Sequence, residues 1–95
     1  MSSIIDDMIN KTKNMKGVEG IIISDVDGIP IKSTLEEDIT YYYSTCASMF
    51  VKTCIESMKE LIKEDVTLIR MRTKLNEIII SPEKDFIFIV VQKIS

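Results

Sequence analysis

Histidine and tryptophan are absent from this 95-residue chain, and it has only two cysteines. Without histidine, neither a Cys–His nor a Ser–His pair can activate a nucleophile, and we expect no catalytic activity. Cys46 and Cys54 fall in one predicted helix, about 12 Å apart along its axis, which is beyond disulfide reach. We therefore expect both thiols to be reduced packing residues, as is usual in the cytosol.

The chain also lacks a basic stripe and a long apolar segment. Its net charge is −3, and a nucleic-acid interface would need clustered lysine and arginine. The longest purely apolar run, Phe86–Val91, is far too short to span a bilayer. The N-terminal segment Met1–Asp7 has neither a cationic start nor a long apolar stretch, so we do not expect a signal peptide. We expect a cytoplasmic protein that binds neither nucleic acid nor membrane.

The most informative segment is the β-hairpin predicted over residues 20–33. The run Ile21–Ile23 is apolar throughout, so a strand here needs cover on both faces of its sheet. Asp27 and Gly28 form a typical turn pair. Pro30 follows, and proline cannot donate to a ladder, so the second strand belongs at a sheet edge.

Acidic residues near this hairpin allow two alternative sites. Asp25 and Asp27 resemble the opening of a calcium loop, with Glu36 at its twelfth position, but the apolar residues between them favour a strand. Glu36, Glu37 and Asp38 could act as paired carboxylates, but at a helix start they meet the helix dipole favourably. We prefer the structural interpretation in both cases and expect no metal, no cofactor and no catalytic residue.

The long helix predicted after Asp38, its expected cap, carries the strongest periodic pattern in the chain. Tyr41 and Met49 are apolar but lie outside the main stripe, which suggests a second contact surface. Of the three consecutive tyrosines, Tyr41 to Tyr43, at least one should be exposed. The expected core face consists of Ile39, Tyr42, Tyr43, Cys46, Ala47, Phe50, Val51, Cys54, Ile55, Met58, Leu61 and Ile62.

The remaining segments predict one helix and three strands. The helix should be capped by Ser3 and stopped by Gly17. The strands are expected over Val66–Thr73, Glu77–Ile80 and Phe86–Val91. The element order is therefore αββαβββ in a single domain over residues 1–95. Short turns make successive strands antiparallel, and the two doubly buried strands belong in the middle. This gives an α+β fold with a five-stranded antiparallel sheet in the order 2-1-5-4-3 and helices on opposite faces.

The third strand is then an open sheet edge. Its predicted eight residues contain neither proline nor glycine, and only Arg70 and Arg72 blunt it. Two such strands can pair antiparallel about a two-fold axis, giving a homodimer with one ten-stranded sheet. We therefore expect the chain to associate with a second copy of itself.

Four segments of the chain share their residues and spacing with one known family. Together they resemble the roadblock family of dynein light chains, over about Ile4 to Gln92. The helix end near residues 60–65 departs from the family, because it lacks the Asp-Pro turn common there. The four segments are Gly17-Val-Glu-Gly-Ile-Ile-Ile23, Asp27-Gly-Ile-Pro-Ile-Lys-Ser-Thr34, Arg70-Met-Arg-Thr-Lys-Leu-Asn-Glu-Ile78 and Pro82-Glu-Lys-Asp-Phe86.

The resemblance implies a homodimer joined through the third strand, with the long helices packed across the two-fold axis. It also implies a non-catalytic accessory subunit that binds the dynein intermediate chain and takes part in microtubule-based transport, in the cytoplasm or in a cilium or flagellum. A roadblock-type scaffold or regulator of a small GTPase is the alternative, and a small enzyme or ligand sensor is a third. The implied dimer interface comprises Val66, Thr67, Leu68, Ile69, Arg70, Met71 and Arg72, with Tyr42, Cys46, Met49, Phe50 and Thr53 from the long helix.

Overall fold

The computed structural model describes residues 2–61 and 63–94 of the chain, and side chains from residue 4 onward. The element order agrees with the αββαβββ prediction. The elements are α1 (Ser2–Lys13), β1 (Val18–Asp25), β2 (Pro30–Ser33), α2 (Glu37–Lys59), β3 (Ile69–Arg72), β4 (Glu77–Pro82) and β5 (Phe86–Gln92).

The five strands form one antiparallel sheet in the order β2-β1-β5-β4-β3, as predicted. The two apolar strands, β1 and β5, are central and pair from Val18 opposite Gln92 to Asp25 opposite Phe86. Strand β2, which begins at Pro30, lies at one edge of the sheet, and this is the position predicted for the strand with the proline. The other edge is β3.

The turn between β1 and β2 is organised by Asp25. Its carboxylate accepts the backbone N–H groups of Asp27 and Ile29, both at 2.9 Å, and its backbone oxygen accepts the N–H of Gly28. Gly28 has a φ of +89°, a conformation that residues with a Cβ rarely adopt. The Asp25 carboxylate is therefore occupied with closing the hairpin turn.

Two hydrophobic layers lie on opposite faces of the sheet. On one face Ile5 and Ile9 of α1 pack against Ile21 and Ile23 of β1. On the other face α2 covers a cluster made of alternate residues from the central strands. The buried members of that cluster are Ile22, Ala47, Val51, Ile80, Ile87 and Ile89. The helices thus cover opposite faces, as the sequence predicted.

The face of α2 that meets the sheet differs from the predicted one. Its buried residues are small or polar, and they lie about a quarter turn around the helix from the middle of the apolar stripe. Ala47 and Val51 belong to both sets, but Ile39, Tyr42 and Phe50 are exposed. The small residues let the helix approach the hairpin closely, and their hydroxyls form hydrogen bonds there. The buried set is Thr40, Ser44, Ala47, Ser48 and Val51.

The helix ends also correct several sequence predictions. Helix α1 begins at Ser2, so Ser3 lies inside it instead of capping it. Glu36 is the N-cap residue of α2, and Asp38 lies in the first turn. Helix α2 ends at Lys59, which leaves Leu61 beyond it and exposed, while Ile62 falls outside the described residues.

Strand β3 is shorter than predicted, and β4 is longer. The predicted strand Val66–Thr73 is regular only over Ile69–Arg72, whereas β4 continues past Ile80 to Pro82. Ile69 lies opposite Ile80, so further residues before Ile69 would lie opposite Ser81 and Pro82. Pro82 has no N–H to donate and the β4–β5 turn follows it, which ends the ladder. Strand β5 extends one residue beyond its prediction, to Gln92.

Candidate functional site: the β3 edge and the exposed face of α2

Strand β3 presents two different faces at its open edge. Ile69 and Met71 are half-buried and pack against the cluster beneath α2. Arg70 and Arg72 alternate with them, so they point to the opposite side of the sheet and are exposed. The predicted alternation along this strand is therefore confirmed over its four residues.

The two arginines share one carboxylate, that of Glu77 on β4. Arg70 Nε lies 3.1 Å from Glu77 Oε1, and Arg72 Nε lies 3.4 Å from Glu77 Oε2. Gln92 of β5 donates its amide N–H to Glu77 Oε1 at 2.9 Å. Only 7% of the Glu77 surface is exposed, whereas both arginines remain open to solvent. The group thus ties β3 to β4 and β5 on the arginine side.

Opposing effects act on the pKa of the Glu77 carboxyl. Burial raises this pKa, because a charged group loses its hydration. The hydrogen bond from Gln92 and the guanidinium charges of Arg70 and Arg72 lower the pKa and together outweigh burial. The net pKa lies below its usual value, so Glu77 is ionised at neutral pH and compensates part of the arginine charge.

Helix α2 exposes a continuous, mainly apolar face. Its members recur at spacings of four, three, one and three, which places them on one side of a helix. They are Tyr42, Cys46, Met49, Phe50 and Thr53, and all are exposed except Cys46, which is half-buried. The exposed fraction is 73% for Tyr42 and 63% for Met49, which is unusual for large apolar residues on a helix of a small domain.

The exposed face of α2 and the apolar side of β3 lie on the same side of the sheet. Tyr43, at the border of the exposed face, packs against the same buried cluster as Ile69 and Met71. At the start of the helix, Asp38, Ile39, Tyr42 and Tyr43 line a shallow apolar depression of about 450 Å³. The β3 edge and this helix face are therefore both exposed on the side of the sheet that α2 covers.

The segment before β3 also carries predicted interface residues. Val66 is half-buried, while Thr67 and Leu68 are exposed and precede the regular strand. Val66 and Thr67 line a groove of about 920 Å³ between the end of α2 and the β4–β5 turn. The groove is lined by charged residues of both signs, including Lys59, Glu64 and Lys84. Its charge therefore does not indicate whether a ligand would be anionic or cationic.

The acidic residues and cysteines that the sequence singled out lie partly or wholly at the surface. Glu36, Glu37 and Asp38 are exposed at the start of α2. Cys46 and Cys54 are both free and half-buried. Within residues 2–61 and 63–94, no three cysteine or acidic side chains lie close enough to hold a metal ion. Over the same residues, none of the helices has the length and apolarity to cross a membrane.

Sequence reasoning missed Glu77 as part of this surface. It identified Arg70 and Arg72 as neighbours on one strand face, but it treated Glu77 only as the start of the next strand. The available signal lay in the turn after β3, but the turn predicted over 74–76 would have placed Arg72 opposite Ile78. In the structure only residues 74 and 75 form the tip of the turn, Thr73 donates its N–H to the backbone oxygen of Asn76, and Arg72 therefore lies opposite Glu77. A carboxylate at this position faces both arginines from the neighbouring strand.

The fold defines a class, the small α+β domain with a helix on each face of a five-stranded antiparallel sheet. The family model of the Roadblock/LC7 domain matches residues 4–93, and the chain belongs to this family. Members are generally non-catalytic adaptors or regulators. The resemblance inferred from the four sequence segments is therefore confirmed at the level of the family.

Several solved structures share this fold at low sequence identity. A Roadblock/LC7 domain from Streptomyces avermitilis has a TM-score of 0.80 at 12% identity, covering 85% of this chain and 70% of its own. An MglB structure with a tetrameric arrangement has a TM-score of 0.81 at 8% identity, covering 96% and 71%. MglB from Myxococcus xanthus has a TM-score of 0.71 at 12% identity, covering 96% and 73%.

Proposed function

We propose that this chain is a non-catalytic accessory light chain of the dynein motor. It acts as a homodimer, binds the dynein intermediate chain and supports microtubule-based transport in the cytoplasm or in a cilium or flagellum. The observation that supports this best is that an open strand edge lies beside an exposed apolar helix face. Both surfaces are costly to leave uncovered, because an open ladder and a large apolar patch favour association.

The proposed dimer forms when two β3 edges pair antiparallel about a two-fold axis, which joins two five-stranded sheets into one of ten strands. Pairing brings the exposed faces of the two α2 helices together, covering the apolar side chains from Tyr42 to Phe50. The unpaired residues 66–68 are in position to extend the ladder with a second copy. The proposed interface is the one that the sequence predicted, from Val66 to Arg72 together with the α2 face.

The proposed partner is a segment of the intermediate chain, bound as an amphipathic helix in a groove of the dimer. The depression lined by Ile39, Tyr42 and Tyr43 supports this mode, since its walls are mainly apolar. Each copy carries this depression, and in the proposed dimer the second copy completes it as a groove, so we expect tight partner binding to require the dimer.

Affinity purification with tagged wild-type chain, followed by mass spectrometry, tests the proposal directly. We expect the dynein intermediate chain among the proteins recovered. The variant Ile69→Pro should lose both dimerisation and this partner, because proline removes a ladder donor and bends β3. Ile69→Val, which keeps the N–H and most of the apolar volume, should behave like wild type.

Sedimentation velocity of the same variants measures dimerisation independently of any partner, and circular dichroism checks that each is folded. The seam is the proposed contact between the two paired β3 strands. If Ile69→Pro still sediments as a dimer, the dimer forms through another surface. The dynein assignment is wrong if the wild-type dimer recovers no dynein subunit.

The alternative function is that of a scaffold or regulator of a small GTPase, because the roadblock family includes such proteins. Structural similarity at 8–12% identity establishes the fold alone, so it does not favour the dynein assignment over this one. The purification separates the two: a small GTPase recovered without any dynein subunit supports the alternative.

A further inference from the structure

The arginine side of β3 has a consequence for pairing between two copies. In an antiparallel sheet, residues directly opposite each other lie on the same face. A two-fold axis perpendicular to the sheet keeps that face the same for both copies. Arg70 therefore meets only residues from the arginine face of the partner strand, whichever register the two strands adopt.

That face of the strand and of the segment before it carries Leu68, Arg70 and Arg72, since successive side chains alternate. With the axis near residue 70, Arg70 lies directly opposite Arg70 of the partner subunit. With the axis near residue 71, Arg70 lies directly opposite Arg72 of the partner subunit. With the axis near residue 69, the two Arg70 side chains are diagonal neighbours about 7–8 Å apart. Each of these registers gathers four guanidinium groups on one side of the seam.

Like charges opposite each other across a strand pair are destabilising. Within each chain, the carboxylate of Glu77 lies against both arginines, and it is the only acidic group that pairs with them among the described residues. Its contacts go to the two Nε atoms, one to each carboxylate oxygen, and Gln92 holds the carboxylate from the other side. Glu77 therefore supplies the negative charge where the four guanidinium groups would gather.

We propose that Glu77 is a positioning residue for self-association, which holds Arg70 and Arg72 and compensates their charge so that two β3 edges can pair. This inference rests on the homodimer of the proposed function. Glu77 itself lies on β4, one strand inside the seam, so it acts through the arginines and not by touching the second copy. Its role is electrostatic, which distinguishes it from a residue that merely packs.

The test compares the dimer dissociation constants of wild type and Glu77→Gln by analytical ultracentrifugation at 50 mM and 500 mM salt. Glutamine keeps the shape of the side chain and a hydrogen-bonding oxygen but removes the charge. We expect the variant to dimerise about tenfold more weakly at low salt. The difference should shrink at high salt, where repulsion between exposed arginines is screened. Glu19→Gln on β1 removes the same charge at an exposed site away from the seam and should leave the dissociation constant unchanged.

A second variant separates repulsion from loss of structure. In the triple variant Glu77→Gln, Arg70→Gln, Arg72→Gln, no charged group of the cluster remains, so dimerisation should return to within a few-fold of wild type and lose its salt dependence. If Glu77→Gln fails to fold, as judged by circular dichroism, the triple variant decides the question. The inference is overturned if wild type and Glu77→Gln dimerise equally, or if the triple variant stays as weak as the single one. A wild-type chain that is monomeric at all concentrations instead refutes the proposed dimer, and the inference with it.

Discussion

At the scale of single residues, small side chains allow α2 to lie close to the β1–β2 hairpin. Ser48 donates its hydroxyl to the backbone oxygen of Val26 at 2.9 Å, and the hydroxyls of Ser33 and Thr40 lie 2.7 Å apart. A Cβ placed on Gly28 would lie 3.0 Å from the backbone oxygen of Ser44. The backbone of α2 therefore lies directly against the backbone of the β1–β2 turn, and larger side chains here would push the helix away from the hairpin.

Gly28→Ala should destabilise the fold by about 2–3 kcal/mol in urea denaturation, because it combines backbone strain with crowding against α2. Gly17→Ala is a matched control: its φ is +88°, but nothing lies within 4 Å of the added carbon. It should cost only the strain, about 1–2 kcal/mol. Equal losses in the two variants would show that Gly28 is required for its φ alone.

Residue-scale prediction from the sequence succeeded where one residue determines one local choice. Pro30 predicted the edge position of β2, and Asp27 with Gly28 predicted the turn. It failed at Glu77, because the role of this carboxylate depends on which arginines lie across the ladder. That pairing follows from the register of a hairpin and not from the neighbours of Glu77 in the chain.

At the scale of elements, α2 has more apolar side chains than the sheet of one chain covers. Periodicity correctly predicted a long amphipathic helix, but it could not show which part of the wide apolar arc meets the sheet. The arc is centred between two surfaces: Ala47 and Val51 face the sheet, while Tyr42 and Met49 face outward. The sequence prediction placed Met49 outside the core stripe but assigned Tyr42 to it, because a sequence pattern does not distinguish an apolar side chain that the sheet covers from one that stays exposed.

Tyr42→Glu should weaken self-association by at least tenfold, because pairing would bury one new carboxylate from each copy at the seam. Tyr41→Glu is the matched control, since it makes the same change at the adjacent exposed position, about 100° around the helix. The control should change the dissociation constant less than threefold. Sedimentation equilibrium gives both constants, and equal effects of the two changes would place the contact surface elsewhere on α2.

Strand β3 illustrates a second limit of prediction at this scale. Its alternation was predicted correctly, but its length was not, since residues 66–68 alternate without a ladder partner in the same chain. Where a strand ends depends on its neighbour, here on Pro82 and the turn after it. The strand order was predictable because the apolar runs within β1 and β5, Ile21–Ile23 and Phe86–Val91, need cover on both faces and therefore favour the middle of the sheet.

At the scale of the whole molecule, a chain of 95 residues has a small core divided between two layers. A domain of this size buries only about 60–65% of the surface that its unfolded chain exposes. Covering the α2 face and the β3 edge by a second copy would therefore add a substantial part of the total stability. Folding and association are then linked through mass action.

The melting temperature of the wild-type chain should consequently rise with protein concentration, by roughly 5–10 °C over a hundredfold range. Differential scanning calorimetry between micromolar and sub-millimolar chain measures this shift. Ile69→Pro, which cannot pair at β3, should melt at a temperature independent of concentration. A wild-type melting temperature that is likewise independent would show that the fold gains nothing from a second copy.

The two margins of the sheet differ, and this difference limits how far assembly can proceed. Both marginal strands have four residues, but β2 starts with a proline, which cannot donate to a ladder, whereas β3 contains no proline. In the proposed dimer each outer border of the enlarged sheet would be a β2 strand, where a third molecule would meet Pro30. If the proposed dimer forms, we therefore expect association through sheet edges to stop at two copies instead of continuing into fibrils.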